Sequence, residues 1–403
     1  MIEHWTDEWS TPVFSIAERE RRWQKVRELM ARDGINVVIC LPNTNRRDRG
    51  QQDSRYLTQL GENCEETTVV FPLEGEVTAW QTRAGATPAS NWLSDIRAAR
   101  YGAGAEVVIA RLKEMGFDRG SIAIAGLTGS LLARTRAPEG EANWQSVEMI
   151  KRAFPNARVV SATETLALAR YQKSDEEIEF IRKGVAVAER SLHAIIEHAR
   201  DGVAERHVFA HMLYASAQAG GSMPVMFGWI SGPLGNTYTR LEQPSFRKFT
   251  NGDVLLCEIE GRWAGYIGQI DQAFSIGTAH ADFKDANQLA WESFNRVLAA
   301  LKPGVTVGEL LDAGSVRGMS GRGVANLTMH GRGTGDDGPL VTPRSRSPEV
   351  LALELREGSC VIIKPDAAVE GRPNYGRWGD CVVVRKHGGE RLGTRPQKIY
   401  ELA

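Results

Sequence analysis

The sequence has little excess of charge of either sign, because 49 Lys and Arg residues stand against 50 Asp and Glu residues. This balance creates no long-range field that would attract nucleic acid or an anionic membrane. Long apolar runs are also missing, since no window approaches the ~18 apolar residues of a membrane-spanning helix. The first nine residues are acidic and aromatic, unlike a secretory signal. We therefore expect a cytoplasmic protein that binds neither nucleic acid nor membranes.

Cysteine is scarce as well: the chain has five cysteines, and no pair has the CxxC spacing of a zinc site. Four of them lie in or beside apolar segments of strand type, namely Cys40, Cys257, Cys360 and Cys381. Cysteines in such segments are usually buried free thiols. We expect buried thiols here and no zinc site built on cysteine.

A chain of 403 residues is long enough for two or three domains of roughly 150 residues. Its first part alternates helix and strand patterns. Helix patterns cover 16–31 and 105–115, strand patterns cover 35–41, 67–71, 77–80 and 121–125, and the polar segment 43–54 has the composition of a loop. The alternation predicts an N-terminal α/β domain over residues 1–168.

The second part, residues 169–403, places helices before strands. Ser174 is a good helix N-cap with an acidic first turn behind it, and an apolar stripe continues to about His198. Further helix patterns cover 204–219, 285–301 and a short stretch from Val307, and strand patterns cover 254–260, 269–276, 360–364 and 381–385. Helices followed by antiparallel strands predict an α+β domain.

Two glutamates in a strand pattern are the first candidates for chemistry. Glu258 and Glu260 are two residues apart, so their side chains share a face of the strand. The following turn brings Gln269 back near them. Neighbouring carboxylates repel, which raises the pKa of one and makes it usable as an acid or base. The alternative is an edge strand with one Glu inward and the other solvated, and spacing alone does not decide between them.

A glycine-rich segment, 329–338, is the second candidate. Dense glycines let the backbone approach a ligand and present His330, Arg332, Asp336 and Asp337 to it. The Lys-Ser/Thr pair of a phosphate-binding loop is missing. A structural role for the lone histidine is the alternative, but its flanking glycines and two Asp residues favour a site.

Lys364 ends an apolar strand pattern, where an unpaired ammonium is costly. Its stem either carries the ammonium out to solvent, or the ammonium pairs with a carboxylate such as Glu258, Glu260 or Asp366. A segment of aromatic, glycine and charged residues follows at 375–380.

Five blocks, taken in order, resemble the creatinase, aminopeptidase P and prolidase superfamily (M24), which has the pita-bread fold. The blocks are Arg55-Tyr-Leu-Thr58, Lys173-Ser-Asp-Glu-Glu-Ile178, Gly252-Asp-Val-Leu-Leu256 with Gly265-Tyr266, His330-Gly-Arg-Gly333, and Leu355-Arg-Glu-Gly-Ser-Cys-Val-Ile-Ile-Lys-Pro365. The resemblance implies a creatinase-like N-terminal α/β domain and a pita-bread catalytic domain. It also implies a homodimer in which the N-terminal domain of one subunit borders the partner's site, with 46–55 as a contributing loop.

The departures from this family concern its metal ligands. Metal-dependent members carry Asp, Asp, His, Glu and Glu. In the same register this sequence has Glu258, Gln269, His330, Lys364 and Gly379. A lysine ammonium has no lone pair and repels metal ions. We therefore expect neither a dinuclear centre nor another cofactor.

An alternative register offers Asp271 and Asp380 as displaced metal ligands. A histidine that usually precedes the Gly-Asp strand is also missing, so Tyr238 or Arg240 is expected at that wall, and Asp337 stands where a second histidine is usual.

Metal-free relatives such as creatinase and ectoine hydrolase imply hydrolysis of a C–N bond, of amidine or amide type, in a small molecule. We expect Glu258 or Glu260 to act as base or nucleophile, His330 to shuttle protons, and Lys364 to stabilise developing charge. Residues expected to bind substrate are Gln269, Arg332, Asp336, Asp337, Tyr266, Tyr238, Tyr375 and Trp378; core packing is the alternative role of the aromatic ones. Three alternatives stay open: a lyase, an Xaa-Pro metallopeptidase with displaced ligands, and a non-catalytic ligand-binding homologue.

Overall fold

The computed structural model describes residues 13–42, 51–61, 67–82, 92–132, 139–222, 227–241 and 244–403. The chain divides into two compact units. The first contains Met1–Tyr171 together with Thr334–Asp337, and the second contains Gln172–Gly333 and Gly338–Ala403. The sequence predicts a domain boundary after residue 168, which is three residues before the first unit's long segment ends at Tyr171.

The first unit is built on a six-stranded sheet. Its strands are β1 (Val37–Cys40), β2 (Thr68–Pro72), β3 (Thr78–Gln81), β4 (Asp95–Ala98), β5 (Gly120–Ile124) and β6 (Ala157–Ser161). Its helices are α1 (Ile16–Asp33), α2 (Gln52–Thr58), α3 (Gly104–Glu114), α4 (Trp144–Ala153) and α5 (Thr163–Tyr171). The strand order is β4-β3-β2-β1-β5-β6, with β1 antiparallel to β2 and parallel to β5. This arrangement confirms the predicted α/β class.

The strand β1 explains why its sequence is an unbroken apolar run. Val38 and Cys40 belong to one hydrophobic cluster, whereas Val37 and Ile39 belong to another. Successive side chains of a strand point to opposite faces, so both faces of the sheet are buried. A strand buried on both faces does not alternate between apolar and polar residues.

The helix α2 lies in a segment that the composition predicted as a loop. Its sequence, QDSRYLT, is largely polar, yet all seven residues are buried. The loop prediction is wrong for 52–54, because tertiary burial outweighs the polar composition there; residues 43–50 lie outside the described part of the chain. The elements β4, α4, β6 and α5 were also not predicted.

The second unit has a large sheet, a small sheet and five α-helices among its described residues. The helices are α6 (Asp175–His198), α7 (Glu205–Gln218), α8 (Ala281–Ala300), α9 (Val307–Ala313) and α10 (Pro348–Leu351). The strands of the large sheet are β7 (Phe227–Pro233), β8 (Tyr238–Leu241), β9 (Asp253–Trp263), β10 (Tyr266–Ile276), β13 (Met329–Gly331), β14 (Leu340–Val341), β15 (Cys360–Ile363), β18 (Gly379–Arg385), β19 (Gly388–Arg391) and β20 (Tyr400–Leu402). The small sheet contains β11 (Val316–Gly318), β12 (Gly323–Asn326), β16 (Asp366–Val369) and β17 (Arg372–Arg377).

The order of the large sheet is β14-β13-β15-β18-β10-β9-β7-β8, with β19 on β18 and β20 on β10. Strands β9 and β10 form a long antiparallel hairpin near its centre. Helices before antiparallel strands confirm the predicted α+β class of this unit. The sheet therefore brings β9, β10, β13, β15 and β18, which carry the candidate residues, into one surface.

The long helix α6 begins where the sequence predicts. The Ser174 hydroxyl accepts a hydrogen bond from Glu177 N at 3.2 Å, and the Glu177 carboxylate accepts one from Ser174 N at 2.9 Å. This capping box satisfies two backbone donors that a helix start leaves open.

Glycines let the α6 backbone lie directly on the β9–β10 hairpin. A Cβ atom at Gly184 in α6 would be 2.6 Å from Gly268 N, and one at Gly268 in β10 would be 2.7 Å from Val185 Cα. Gly261 in β9 is equally close, since a Cβ there would be 2.5 Å from Ala188 N. Contacts this short exclude any side chain at these three positions.

Cys40, Cys257, Cys360 and Cys381 are buried free thiols, as predicted, and Cys64 lies outside the described residues. Among the helices of the described segments, none combines the length and the apolar character needed to cross a membrane.

Candidate active site

Strand pairing places four of the candidate residues on one face of the large sheet. Glu258 in β9 pairs with Asp271 in β10, and Glu260 pairs with Gln269. Directly paired residues, and residues two apart on a strand, point to the same side. Glu258 and Glu260 therefore share a face with Gln269, as the spacing predicts, and Asp271 joins them.

His330 and Lys364 lie on the same face of the sheet, on the flank formed by β13 and β15. His330 in β13 pairs with Ile362 in β15, and Ile362 pairs with Cys381 in β18. Cys381 is two residues from Gly379, which pairs with Asp271. Lys364 directly follows β15, two residues after Ile362. Glu258 and Lys364, which are 106 positions apart in the chain, thus meet on one surface.

The centre of the site is an ion pair between Lys364 and Glu258. The Lys364 ammonium donates to Glu258 Oε1 at 2.8 Å, and Gln269 Nε2 donates to the same oxygen at 2.6 Å. The two charged side chains are 9% and 11% exposed, whereas Gln269 is fully buried. The sequence leaves two alternatives for the Lys364 ammonium, exposure to solvent or a pair with a carboxylate. The structure has the pair with a carboxylate.

The ion pair keeps Glu258 in its charged form. Burial by itself would raise the pKa of this carboxyl, but the Lys364 ammonium lowers it well below its ordinary value. The positive charges of Arg377 and His330 act in the same direction. Glu258 is therefore an anion at neutral pH while the pair is intact.

Asp271 has the opposite electrostatic character. Its Oδ1 accepts a hydrogen bond from Gln269 Nε2 at 3.3 Å, and its Oδ2 lies 3.6 Å from Arg377 Nε. Burial, followed by the negative charge of Glu258, raises the pKa of Asp271 to about 6. The site thus holds one permanently charged carboxylate beside one that titrates close to neutral pH.

We expect Asp271→Asn to stabilise the protein at pH 7.5 and to have a much smaller effect near pH 4. The pKa of Asp271 in the folded chain, about 6, exceeds the ordinary 3.8, so folding costs free energy once the pH rises through these values. A difference of about two pKa units corresponds to about 3 kcal/mol. Urea unfolding of both proteins at each pH measures it; an equal gain at pH 4 and 7.5 would show that packing, not charge, is responsible.

Arg377 is part of the site although the sequence did not single it out. Its Nε donates to Asp366 Oδ1 at 2.6 Å, and its backbone N donates to Asn287 Oδ1 at 3.2 Å. The signal is a cation two residues before Gly379, in the segment 375–380 that supplies the candidates Tyr375, Trp378 and Asp380. Arg377 adds a second positive charge that offsets the carboxylates of the site.

Glu260 and Arg332 form a separate buried pair. Arg332 Nη2 donates to Glu260 Oε1 at 2.6 Å, and both side chains have no exposed surface. The edge-strand alternative for the two glutamates is wrong, because β9 lies between β10 and β7 and both glutamates are buried.

The acidic end of the glycine-rich segment belongs to the first unit. Asp337 accepts a hydrogen bond from Arg170 Nε at 2.9 Å and one from Thr334 N at 3.1 Å. Asp336 beside it is also buried, at 4% exposed. The structure therefore gives Asp337 structural contacts within that unit, while its proposed contact with substrate stays a prediction.

The aromatic candidates differ in their surroundings. The Tyr266 hydroxyl donates to Glu177 Oε1 at 2.8 Å, so it holds the first turn of α6. Tyr375 is 8% exposed and belongs to the hydrophobic cluster that includes Ala286 and Ala290 of α8. The side chain of Tyr238, like that of Arg240, lies outside the described residues.

Trp378 is a correction to the predicted set. Its ring is fully buried and packs edge-on against Phe294 with 4.7 Å between ring centroids. It belongs to a hydrophobic cluster that includes Val382 and Met329. Because the ring packs within this apolar cluster, we place Trp378 in the core.

Gly379 and Lys364 fit together at backbone level. A Cβ atom at Gly379 would lie 2.7 Å from Lys364 Cβ and 2.8 Å from Ile363 O. Any side chain at position 379 would therefore require the neighbouring strand to shift. The glycine leaves the space in which Lys364 extends towards Glu258.

Asp380 projects away from this face of the sheet. It pairs with Ile270, one position from the Asp271–Gly379 pair, so its side chain points to the opposite side. There it accepts a hydrogen bond from Arg391 Nη2 at 2.9 Å, and Arg395 Nη1 lies 3.6 Å away. Burial raises the pKa of Asp380, and these arginines oppose that effect.

Comparison with known proteins identifies the family. The model of metallopeptidase family M24 matches residues 179–386. The Xaa-Pro dipeptidase of Pyrococcus furiosus is 24% identical over 263 residues, which cover 65% of this chain and 74% of that protein. The putative dipeptidase YkvY of Bacillus subtilis is 28% identical over 264 residues, which cover 63% and 69%.

Solved structures give the same architecture over nearly the whole length. The X-Pro aminopeptidase of Thermotoga maritima superposes with a TM-score of 0.73 at 18% identity and covers 94% of this chain and 99% of its own. The dipeptidase PepE of Mycobacterium ulcerans has a TM-score of 0.71 at 20% identity, with 97% and 100% covered. The two-domain pita-bread fold is thus present, and the chain belongs to the metallopeptidase family M24, with the hydrolase character of that family.

Proposed function

We propose that this protein is a metal-independent hydrolase that cleaves a C–N bond, of amide or amidine type, in a small molecule. The observation that carries the proposal is the Lys364–Glu258 ion pair, with 2.8 Å between Nζ and Oε1. By the correspondence drawn from the sequence, both residues stand at positions where metal-dependent relatives have acidic ligands. An ammonium supplies positive charge where those relatives use metal ions.

The donor set does not fit two divalent metal ions. Hard divalent ions prefer several anionic oxygen ligands. The five corresponding residues here are Glu258, Gln269, His330, Lys364 and Gly379, which include one carboxylate, one ammonium and a glycine without a side chain. We therefore draw no catalytic step through a metal ion.

The alternative ligands Asp271 and Asp380 do not complete a site for two metal ions. Asp271 lies on the face of Glu258, but Asp380 projects to the opposite face and is bonded to Arg391. Two carboxylates on opposite faces of a sheet do not bind a common ion. This geometry weighs against the Xaa-Pro metallopeptidase alternative.

The Lys364–Glu258 pair, which is about one-tenth exposed, provides the catalytic groups. When a substrate carbonyl or amidine group accepts a hydrogen bond from Lys364, the ion pair between Lys364 and Glu258 is weakened. The pKa of Glu258 then rises, because its cationic partner is shared with the substrate. Glu258 can accept a proton from an attacking water, or attack itself, while Lys364 stabilises the developing negative charge. The reaction is thus coupled to substrate binding.

Other residues on this face protonate the leaving nitrogen or hold Glu258 in position. Asp271, whose pKa burial raises to about 6, can deliver a proton to the leaving nitrogen, and His330 on the same face is the predicted proton shuttle. Gln269 fixes Glu258 by its 2.6 Å hydrogen bond, and the buried Glu260–Arg332 pair holds the neighbouring part of β9. We keep Tyr266 and Tyr375 as substrate-binding candidates and omit Trp378. Asp336 and Asp337 belong to the first unit, and their role in substrate binding stays a prediction from the sequence.

The names of the relatives support a small substrate. Those described above are named for dipeptides or for Xaa-Pro substrates, which supports a small molecule with an amide or related bond. A small peptide is accordingly the second candidate substrate. Assembly as a homodimer and a cytoplasmic location stay predictions from the sequence, and light scattering of the purified protein tests the first.

We expect EDTA to leave activity unchanged, and added Mn²⁺ or Co²⁺ not to increase it. The assay follows amine or ammonia release from a panel of small amides, amidines and dipeptides, before and after prolonged chelation. The P. furiosus Xaa-Pro dipeptidase, treated in parallel, serves as a comparison enzyme. Loss of activity in EDTA that Mn²⁺ or Co²⁺ restores would overturn the proposal and favour the metallopeptidase alternative.

A lyase is the remaining enzyme class that the same pair supports, because a carboxylate facing an ammonium can also remove a carbon-bound proton. Turnover in ¹⁸O-labelled water separates the two reactions. A hydrolase transfers the label into its product, whereas a simple elimination does not. A thermal-shift hit that is bound but never turned over would instead identify a non-catalytic homologue.

A further inference from the structure

A group of three histidines lies apart from the Glu258–Lys364 site and has no part in the proposed reaction. His198 is the last residue of α6, and His207 and His211 lie one turn apart on α7. The ring of His198 stacks on that of His211 with 3.6 Å between centroids and 14° between planes. One ligand nitrogen from each histidine can be chosen so that all lie within 4.8 Å of one another.

We propose that His198, His207 and His211 bind one divalent transition-metal ion, of which Zn²⁺ is the representative, at the junction of α6 and α7. Neutral imidazole is a good ligand for Zn²⁺, Ni²⁺ and Cu²⁺. Three protein ligands leave a further position, which water fills because the cluster is partly exposed. We call these three residues the histidine cluster.

The spacing of the nitrogens favours this ligand set. His207 Nε2 and His211 Nε2 are 3.1 Å apart. Two imidazole nitrogens bound to one tetrahedral Zn²⁺ at 2.0–2.1 Å are separated by about 3.3 Å. The i, i+4 arrangement on a helix is a common source of two such ligands, and rotation of the His198 ring about its side-chain bonds adds the third.

A carboxylate beside the histidine cluster offsets the charge of a bound ion. Glu197 Oε2 on α6 lies 4.0 Å from His198 Nε2. A negative charge at this distance attracts a cation, although exposure to solvent reduces the effect.

Isothermal titration of the metal-free full-length protein with ZnCl₂ at pH 7.5 tests the proposal. We expect saturable binding of one ion per chain. His207→Ala, which removes the exposed member of the cluster, is expected to weaken binding by more than about 10-fold. His193→Ala is the matched control, because His193 is an exposed histidine on α6 outside the cluster, and it is expected to bind like the wild type.

Equal affinity of the wild type and His207→Ala would overturn the proposal and leave a stacked, hydrogen-bonded group of imidazoles. A loss of affinity in His193→Ala as large as that in His207→Ala would also contradict it. Zn²⁺ is further expected to raise the unfolding temperature of the wild type but not of His207→Ala, because binding to the folded state alone stabilises it.

Metal content separates this proposal from the proposed function. Metal in the wild-type protein that disappears in His207→Ala belongs to the histidine cluster, and activity that persists in this variant is consistent with a metal-independent reaction. Metal that remains in His207→Ala, together with activity that depends on it, would instead contradict the proposed function and leave the histidine cluster to be judged by the titration.

Discussion

Replacing Glu258 by Gln is expected to reduce kcat by about 10²- to 10⁴-fold, the range associated with loss of a general base. Gln has nearly the same shape as Glu, but it neither accepts the proton of the attacking water nor attacks the substrate. His330→Ala is expected to lower kcat as well, through loss of a proton donor to the leaving nitrogen. Steady-state kinetics on the best substrate of the panel measure both effects.

Two controls make the Glu258 result specific. Thermal unfolding of the variant checks that the site is still folded, since Lys364 loses the charge of its partner. Product analysis under single-turnover conditions separates a slow chemical step from slow product release. A Glu258→Gln protein that folds and retains kcat/KM within tenfold of the wild type would remove Glu258 from the reaction.

Lys364→Met is expected to destabilise the protein by about 3–5 kcal/mol, because it leaves the buried Glu258 carboxylate without its cation. The pair is about one-tenth exposed, so solvent screens it only weakly. The double variant Lys364→Met/Glu258→Gln is expected to recover most of the loss, since no unpaired charge then remains. Urea unfolding at pH 7.5 of both variants and the wild type measures these changes.

Lys151→Met is the matched control for this experiment. Lys151 forms an ion pair with Glu148 at 3.0 Å, but its side chain is 51% exposed. Breaking an exposed pair is expected to cost no more than about 1 kcal/mol. If the double variant is as unstable as Lys364→Met alone, the lost packing of the lysine stem, and not the unpaired carboxylate, accounts for the destabilisation.

Local signals in the sequence predicted much of the fold. The start of α6 was predicted from Ser174 and the acidic turn behind it, and the capping box with Glu177 is present. The buried helix α2 was missed because its stability comes from tertiary burial of polar residues, which composition does not report. The strands β11 and β12 were missed because their sequences, VRG and GVAN, contain glycine and no apolar run.

The site was predictable in its members more than in its contacts. The spacing within β9 predicted the common face of Glu258 and Glu260. The partner of Lys364 stayed open, because the Lys364–Glu258 contact spans 106 positions and depends on pairings through β10 and β18. The same long-range pairing brings Arg377 to Asp271, and nothing local at either residue reports it. Two members of the histidine cluster are recognisable in the sequence, because His207 and His211 are four residues apart within a predicted helix. His198 lies on another helix, and its proximity depends on how the two helices pack.

The three glycines at the contact between α6 and the β9–β10 hairpin have a consequence for how this family changes its chemistry. Because Gly184, Gly261 and Gly268 bring backbone against backbone, the position of the hairpin relative to the helix does not depend on the side chains that project from its other face. Acidic residues there can be exchanged for glutamine or faced by lysine while the strands keep their places. The reaction chemistry can therefore be replaced as a module, and fold similarity to a peptidase does not by itself transfer the peptidase mechanism.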